Sequence, residues 1–187
     1  MKKIILLFIF VITTISCQSQ KANSSLQWKE FDFPDAGLKV SLPCEPKKYF
    51  KSFQDNPRPI HVYDFSCETE GMKFLVSSKN YMDDFNENTF KQTFDANESN
   101  LKTMFGAIES IEEKNDFLTN GLSSKYYEVT PKVGGKVKSL IVVNNSRFYE
   151  AMFGITPESE RNLKESKVDY NEISKKFLDS FQITDNK

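Results

Sequence analysis

Apolar and polar residues alternate cleanly at Leu38, Val40 and Leu42, with Lys39 and Ser41 between them, which predicts a half-buried strand that begins after Gly37 and stops at Pro43 and Pro46. A second strand is predicted over 60–67 and a third over 72–79. The turn Glu68-Thr69-Glu70-Gly71 joins them as a hairpin. Phe90, Phe94, Leu101, Met104 and Phe105 recur at helical spacing, so a helix is predicted over 86–105, stopped by Gly106. Three further strands are predicted over 123–130, 136–143 and 147–155, joined at Val133-Gly134-Gly135 and Asn144-Asn145-Ser146. The chain closes on an amphipathic helix over 168–181, whose Tyr170, Ile173, Phe177 and Phe181 share a face. Antiparallel runs with segregated helices predict an α+β fold, an antiparallel β-sheet flanked by helices.

The first residues carry a different signal. Met1-Lys2-Lys3, an apolar run from Ile4 to Ile12, and Ser16 before Cys17 are the three parts of an export signal. A helix over 4–16 would be about 20 Å long, too short for the roughly 30 Å hydrocarbon core. Ile15, Ser16 and Cys17 resemble a bacterial lipobox, with Thr14 where Leu is usual. That resemblance implies a signal peptide at 1–16, lipidation of Cys17 with palmitate-type acyl chains, and membrane anchoring through the N-terminal lipid. The alternative is an ordinary signal peptide with a chance cysteine. Gln18 follows where Asp would resemble an inner-membrane retention signal, which points to the outer membrane, facing the periplasm. Residues 17–27 form the anchor and a polar tether, and 28–187 one domain, a length that suits a single core.

Composition then narrows the chemistry. The 187 residues carry 25 Lys+Arg against 26 Asp+Glu, a net charge of -1 without the basic excess of a nucleic-acid binder. Loss of Lys2 and Lys3 with the leader leaves 23 against 26, or -3. Seventeen Phe and seven Tyr describe an aromatic core, and a single His leaves little imidazole chemistry.

Cys44 shares the parity of Leu38, Val40 and Leu42, and Cys67 that of Tyr63 and Phe65, so both sulfurs are expected on the core side. In an exported chain they are a candidate disulfide, with two buried free thiols as the alternative. Asp84, Asn86, Asn88 and Asp95 echo a calcium-loop spacing, but Thr89 replaces the Gly and Asp95 the longer Glu, so with Asp83 these residues are expected to cap a helix. Ser99 and Lys102 have Ser-x-x-Lys spacing without its companion motifs, and are expected on a solvated helix face. His61 is expected as an ordinary surface histidine, and Lys132, Lys136 and Lys138 as a solubilising cluster that could meet anionic lipid or glycan. No phosphate loop, paired Cys-x-x-Cys or His-Glu-x-x-His is present, so no catalytic, metal or cofactor residues are assigned.

Gly37-Leu38-Lys39-Val40-Ser41-Leu42-Pro43-Cys44-Glu45-Pro46 resembles the opening strand of the PsbP-like proteins, with Cys44 where Gly is frequent. The ending Phe177-Leu178-Asp179-Ser180-Phe181-Gln182-Ile183 is similar to their closing helix and last strand, and Arg147-Phe148-Tyr149 also fits. The resemblance implies an α/β sandwich and an extrinsic binding or assembly role, like that of the photosystem subunit, the Mog-type proteins and related bacterial lipoproteins. It supplies no catalytic residues. Two expectations follow: a non-catalytic, lipid-anchored module with an envelope protein or ligand as partner, or a hydrolase-like envelope enzyme with an unfamiliar site.

Overall fold

A computed structural model describes residues 26–55, 58–80, 95, 99, 107–114, 122–144 and 147–184. Ten strands among them form two antiparallel sheets. The smaller sheet has the order β1-β2-β10, from β1 (Lys29–Phe33), β2 (Leu38–Leu42) and β10 (Gln182–Ile183). In the larger sheet the order is β3-β4-β5-β9-β8-β7-β6. Its strands are β3 (Lys47–Asp55), β4 (Arg58–Thr69), β5 (Met72–Asn80), β6 (Ile108–Lys114), β7 (Ser123–Pro131), β8 (Lys136–Asn144) and β9 (Arg147–Ile155).

Two helices, α1 (Pro157–Glu165) and α2 (Tyr170–Ser180), complete the described elements, with Asp95 and Ser99 also helical. This overturns the expected sheet flanked by helices, the PsbP-like α/β sandwich. The fold is β-rich, because β1, β3 and β6, none of them predicted, each extend a sheet edge. The predicted closing helix over 168–181 is α2, which Asp169 caps by accepting the Asn171 amide at 2.8 Å; an unpredicted helix, α1, precedes it, started by Pro157 and capped by Thr156, which accepts the Ser159 amide at 3.1 Å. The helix predicted over 86–105 lies outside the described residues apart from Asp95 and Ser99, both exposed.

Strand parity sorts the core. Leu38, Val40 and Leu42 of β2 meet Phe74 and Val76 of β5, Ala151 and Phe153 of β9, and Phe177 of α2 in one cluster. Trp28 closes it from outside, edge-on to Phe74 at 5.8 Å. The other parity of the large sheet buries Tyr127, Val129, Val137, Ile141, Val143, Phe148 and Met152 in a second cluster. The β4–β5 hairpin turns at Glu70 and Gly71, both with positive φ, as a two-residue turn requires. Here α1 docks: a Cβ on Gly71 would lie 1.8 Å from the Ser159 hydroxyl.

Cys44 and Cys67 form a disulfide with a Cα–Cα distance of 5.8 Å. Cys44 follows β2 of the small sheet and Cys67 lies in β4 of the large one, so the bridge staples the two sheets where the chain crosses between them. No described helix is long and apolar enough to cross a membrane.

Candidate binding groove

Phe33 ends β1, and a single 3-10 turn over Pro34–Ala36 reverses the chain, with Gly37 at φ 66 completing the reversal. This places Asp32, Phe33, Pro34 and Asp35 along one wall of a groove of about 460 Å³. Strands β3 and β4 supply the other wall. Their register sets Lys48 opposite Phe65 and Phe50 opposite Tyr63, all on the face turned towards Phe33.

The groove is built of stacked rings. Phe33 lies on Phe65 with centroids 3.7 Å apart, and Phe50 meets Tyr63 at 4.9 Å. The Lys48 ammonium sits 5.6 Å from the centroid of Phe33. Phe50 is 56% exposed and its neighbour Tyr49 58%, an unusual bareness for large apolar groups beside a cavity. Among the described residues no Ser, Cys or His lines the groove, which offers flat aromatic plates, two of them tyrosines, with two carboxylates and one ammonium at the rim. Such a surface stacks and orients a ligand.

Sequence reasoning missed these residues. The signal was present in Tyr49-Phe50: adjacent aromatics on a strand point to opposite faces, so a strand with one buried face must leave one of them outside it.

His61, expected at the surface, is half-buried within β4 and stacks on Phe50 at 5.9 Å, and its Nδ1 is buried without a hydrogen-bond partner among the described residues. The expected lysine cluster does not form one surface. Lys138 is buried, donates to Asn171 Oδ1 at 2.8 Å, lies 3.9 Å from Glu128 and sits over the Tyr170 ring, whereas Lys136 donates to Thr130 at 2.9 Å. Lys138 instead lines a second cavity of about 250 Å³ with Tyr126, Asn171, Ser174, Lys175 and Asp179. Burial, and then its hydrogen bond to Glu128, push the Tyr126 hydroxyl far above its ordinary pKa, so it stays protonated.

A polar row crosses the second face of the large sheet. The Ser77 hydroxyl donates to Asp64 at 2.6 Å, and that of Ser139 to Glu150 at 2.8 Å. Burial raises the Glu150 pKa, opposed by the Ser139 hydrogen bond and by Lys79, while Asp64 adds to the rise. Neither cavity is lined by Glu150 or Asp64. Among the described residues no three His, Cys, Asp or Glu group as metal ligands. Cys17, Asp83, Asp84, Asn86, Asn88 and Lys102 lie outside the described residues.

No family model matches the chain, and no curated protein is significantly similar to it. The resemblance to the PsbP-like proteins therefore has no support beyond the short motifs that suggested it.

Proposed function

We propose that this protein is a non-catalytic binding module of the cell envelope, anchored through lipid on Cys17 and facing the periplasm from the outer membrane. The observation that carries the binding role is the open groove of Phe33, Phe50, Tyr63 and Phe65, whose apolar plates and charged rim suit stacking of a ligand. The lipobox-like Ile15-Ser16-Cys17 carries the anchor. The partner is an envelope protein or ligand with an apolar or aromatic group that stacks between the rings.

A photo-crosslinking residue in place of Phe50 should trap that partner in intact cells. The same residue in place of Val133, 77% exposed on a distant turn, should not. Equal trapping at both positions, or none at Phe50, refutes the groove. Membrane fractionation of Cys17→Ser tests the anchor separately, and unchanged association refutes it.

Glu150 favours an enzyme as the second reading, because a carboxyl with a raised pKa near Asp64 is the kind of pair that transfers protons. If it holds, Glu150→Gln abolishes the cellular phenotype although abundance and melting temperature are no lower than those of the parent.

A further inference from the structure

We infer that strand β3 is a membrane-docking edge, which lays the domain against an anionic phospholipid surface. Residues 47–52, Lys-Lys-Tyr-Phe-Lys-Ser, are exposed without a break, a pattern that neither a half-buried nor a buried strand produces. Among the described strands β3 ends the order of the large sheet and pairs with β4 alone, so its outer edge takes no further strand from them. Pairing with β4 fixes the faces: Lys47, Tyr49 and Lys51 share one, and Lys48 and Phe50 the other.

Each face of the edge thus presents at least one ammonium beside an aromatic ring. Long basic side chains with aromatic neighbours are the residues that settle at a headgroup layer, rings towards the acyl boundary and charges towards phosphate. The chain carries -1 overall, whereas residues 47–52 hold three cations and no acid; the acids around them are Asp32 and Asp35, which share the groove with Lys48, and Asp64 opposite Tyr49.

The path of the chain supports the orientation. Lys29 pairs with Leu42 across β1 and β2, and its ammonium lies 3.6 Å from Glu45, two residues before β3. The tether therefore joins the domain at the end where β3 begins. Cys17 to Ser25 can span at most about 32 Å, so a lipid on Cys17 holds this end near the bilayer. That geometry rests on the anchored reading above, whereas the affinity of β3 for lipid does not.

A strand-adding peptide partner fits less well. It must be acidic to meet three ammonium groups and must lose chain entropy to become a strand, whereas an anionic bilayer supplies the charge without that cost.

The test uses the chain from residue 17 onward with Ser in place of Cys17, floated with vesicles of phosphatidylglycerol and phosphatidylcholine or of phosphatidylcholine alone. Binding should favour the anionic vesicles and fall as salt rises. Each lysine near such a surface is worth about fivefold, so the triple change Lys47→Gln, Lys48→Gln and Lys51→Gln should weaken binding about a hundredfold. Lys132→Gln should leave it unchanged. Circular dichroism melts should overlay for all variants, and Tyr49→Ala with Phe50→Ala, which keeps every charge, should also weaken binding. Equal binding to both vesicle types, or a preference that survives in the triple variant, overturns the proposal. Binding to an acidic, extended β-forming peptide but not to vesicles also overturns it and assigns the edge to strand addition. Failure of the anchor appears only in cells, as unchanged fractionation of Cys17→Ser, and leaves the vesicle result intact.

Discussion

Breaking the Cys44–Cys67 bridge should cost about 3.4 kcal/mol. The cysteines are 23 residues apart in sequence, and closing a loop of about that length removes roughly 11 cal/mol/K of chain entropy from the unfolded state. Pairing of β3 with β4 puts Lys47 opposite Ser66, so the chain that leaves Cys44 for the large sheet returns close to Cys67, and on the chain-entropy model the cross-link at this junction of the sheets acts by closing the loop. The whole effect then falls on the unfolded chain. For a domain of this size it corresponds to a fall in melting temperature of about 7–14 °C. Two perturbations should agree: reduction, and the double change Cys44→Ala with Cys67→Ala. The double variant should lose slightly more, because Cys67 is 4% exposed and its sulfur fills core space. Either single change should cost nearly as much as the double, since one missing partner already opens the loop. Thermal unfolding followed by circular dichroism gives the shift, and intact mass after alkylation counts the thiols released. Complete alkylation on reduction with a melting temperature moved by less than about 2 °C would refute the reasoning.

Two further outcomes concern Glu150 and Gly71. Glu150 has a folded pKa raised above its unfolded value, so the folded state holds the proton more tightly, and stability falls as pH rises from the unfolded value through the folded one. Glu150→Gln should remove that slope and raise stability at neutral pH, read from urea midpoints between pH 4 and 8 in the sense of linkage. An unaltered slope refutes it. Gly71→Ala should cost at least about 1–2 kcal/mol, because φ is positive and the new methyl meets Ser159, and calorimetry should show the loss. A neutral Gly71→Ala would mean that α1 does not rest on this turn.

Strands with one or both faces buried were readable. Leu38, Val40 and Leu42 alternate in the structure as in the sequence, and β7, β8 and β9 fall within a residue or so of their predicted spans because buried positions and Gly or Asn turns bound them. Edge strands were not readable for the same reason inverted. β3 and β6 are exposed over much of their length, so no apolar period marks them; β1 is five residues long and only Phe33 in it is fully buried. The omission changed the fold class, because edge strands convert a sheet with helices into two sheets. α1 was lost to its composition: Leu163 is its single buried apolar residue, and only Thr156-Pro157 announced it. Parity brought Cys44 and Cys67 together correctly. The groove escaped because it depends on β1 lying across β3 and β4, a tertiary fact that no local period encodes.

The order of the large sheet also sets when the chain can fold. Its centre is β5 against β9, residues 72–80 against 147–155, and β2 takes β10 from 182–183 as its second neighbour. The first five strands therefore emerge during synthesis with Phe74 and Val76 bare, and their partners arrive only with the last quarter of the chain. Non-local pairing of this kind is slow, on the order of milliseconds to seconds, because loop closure precedes any reward in buried surface. A chain so arranged cannot complete its core until its C-terminus is free, the condition under which a polypeptide can be threaded through a membrane before it folds on the far side.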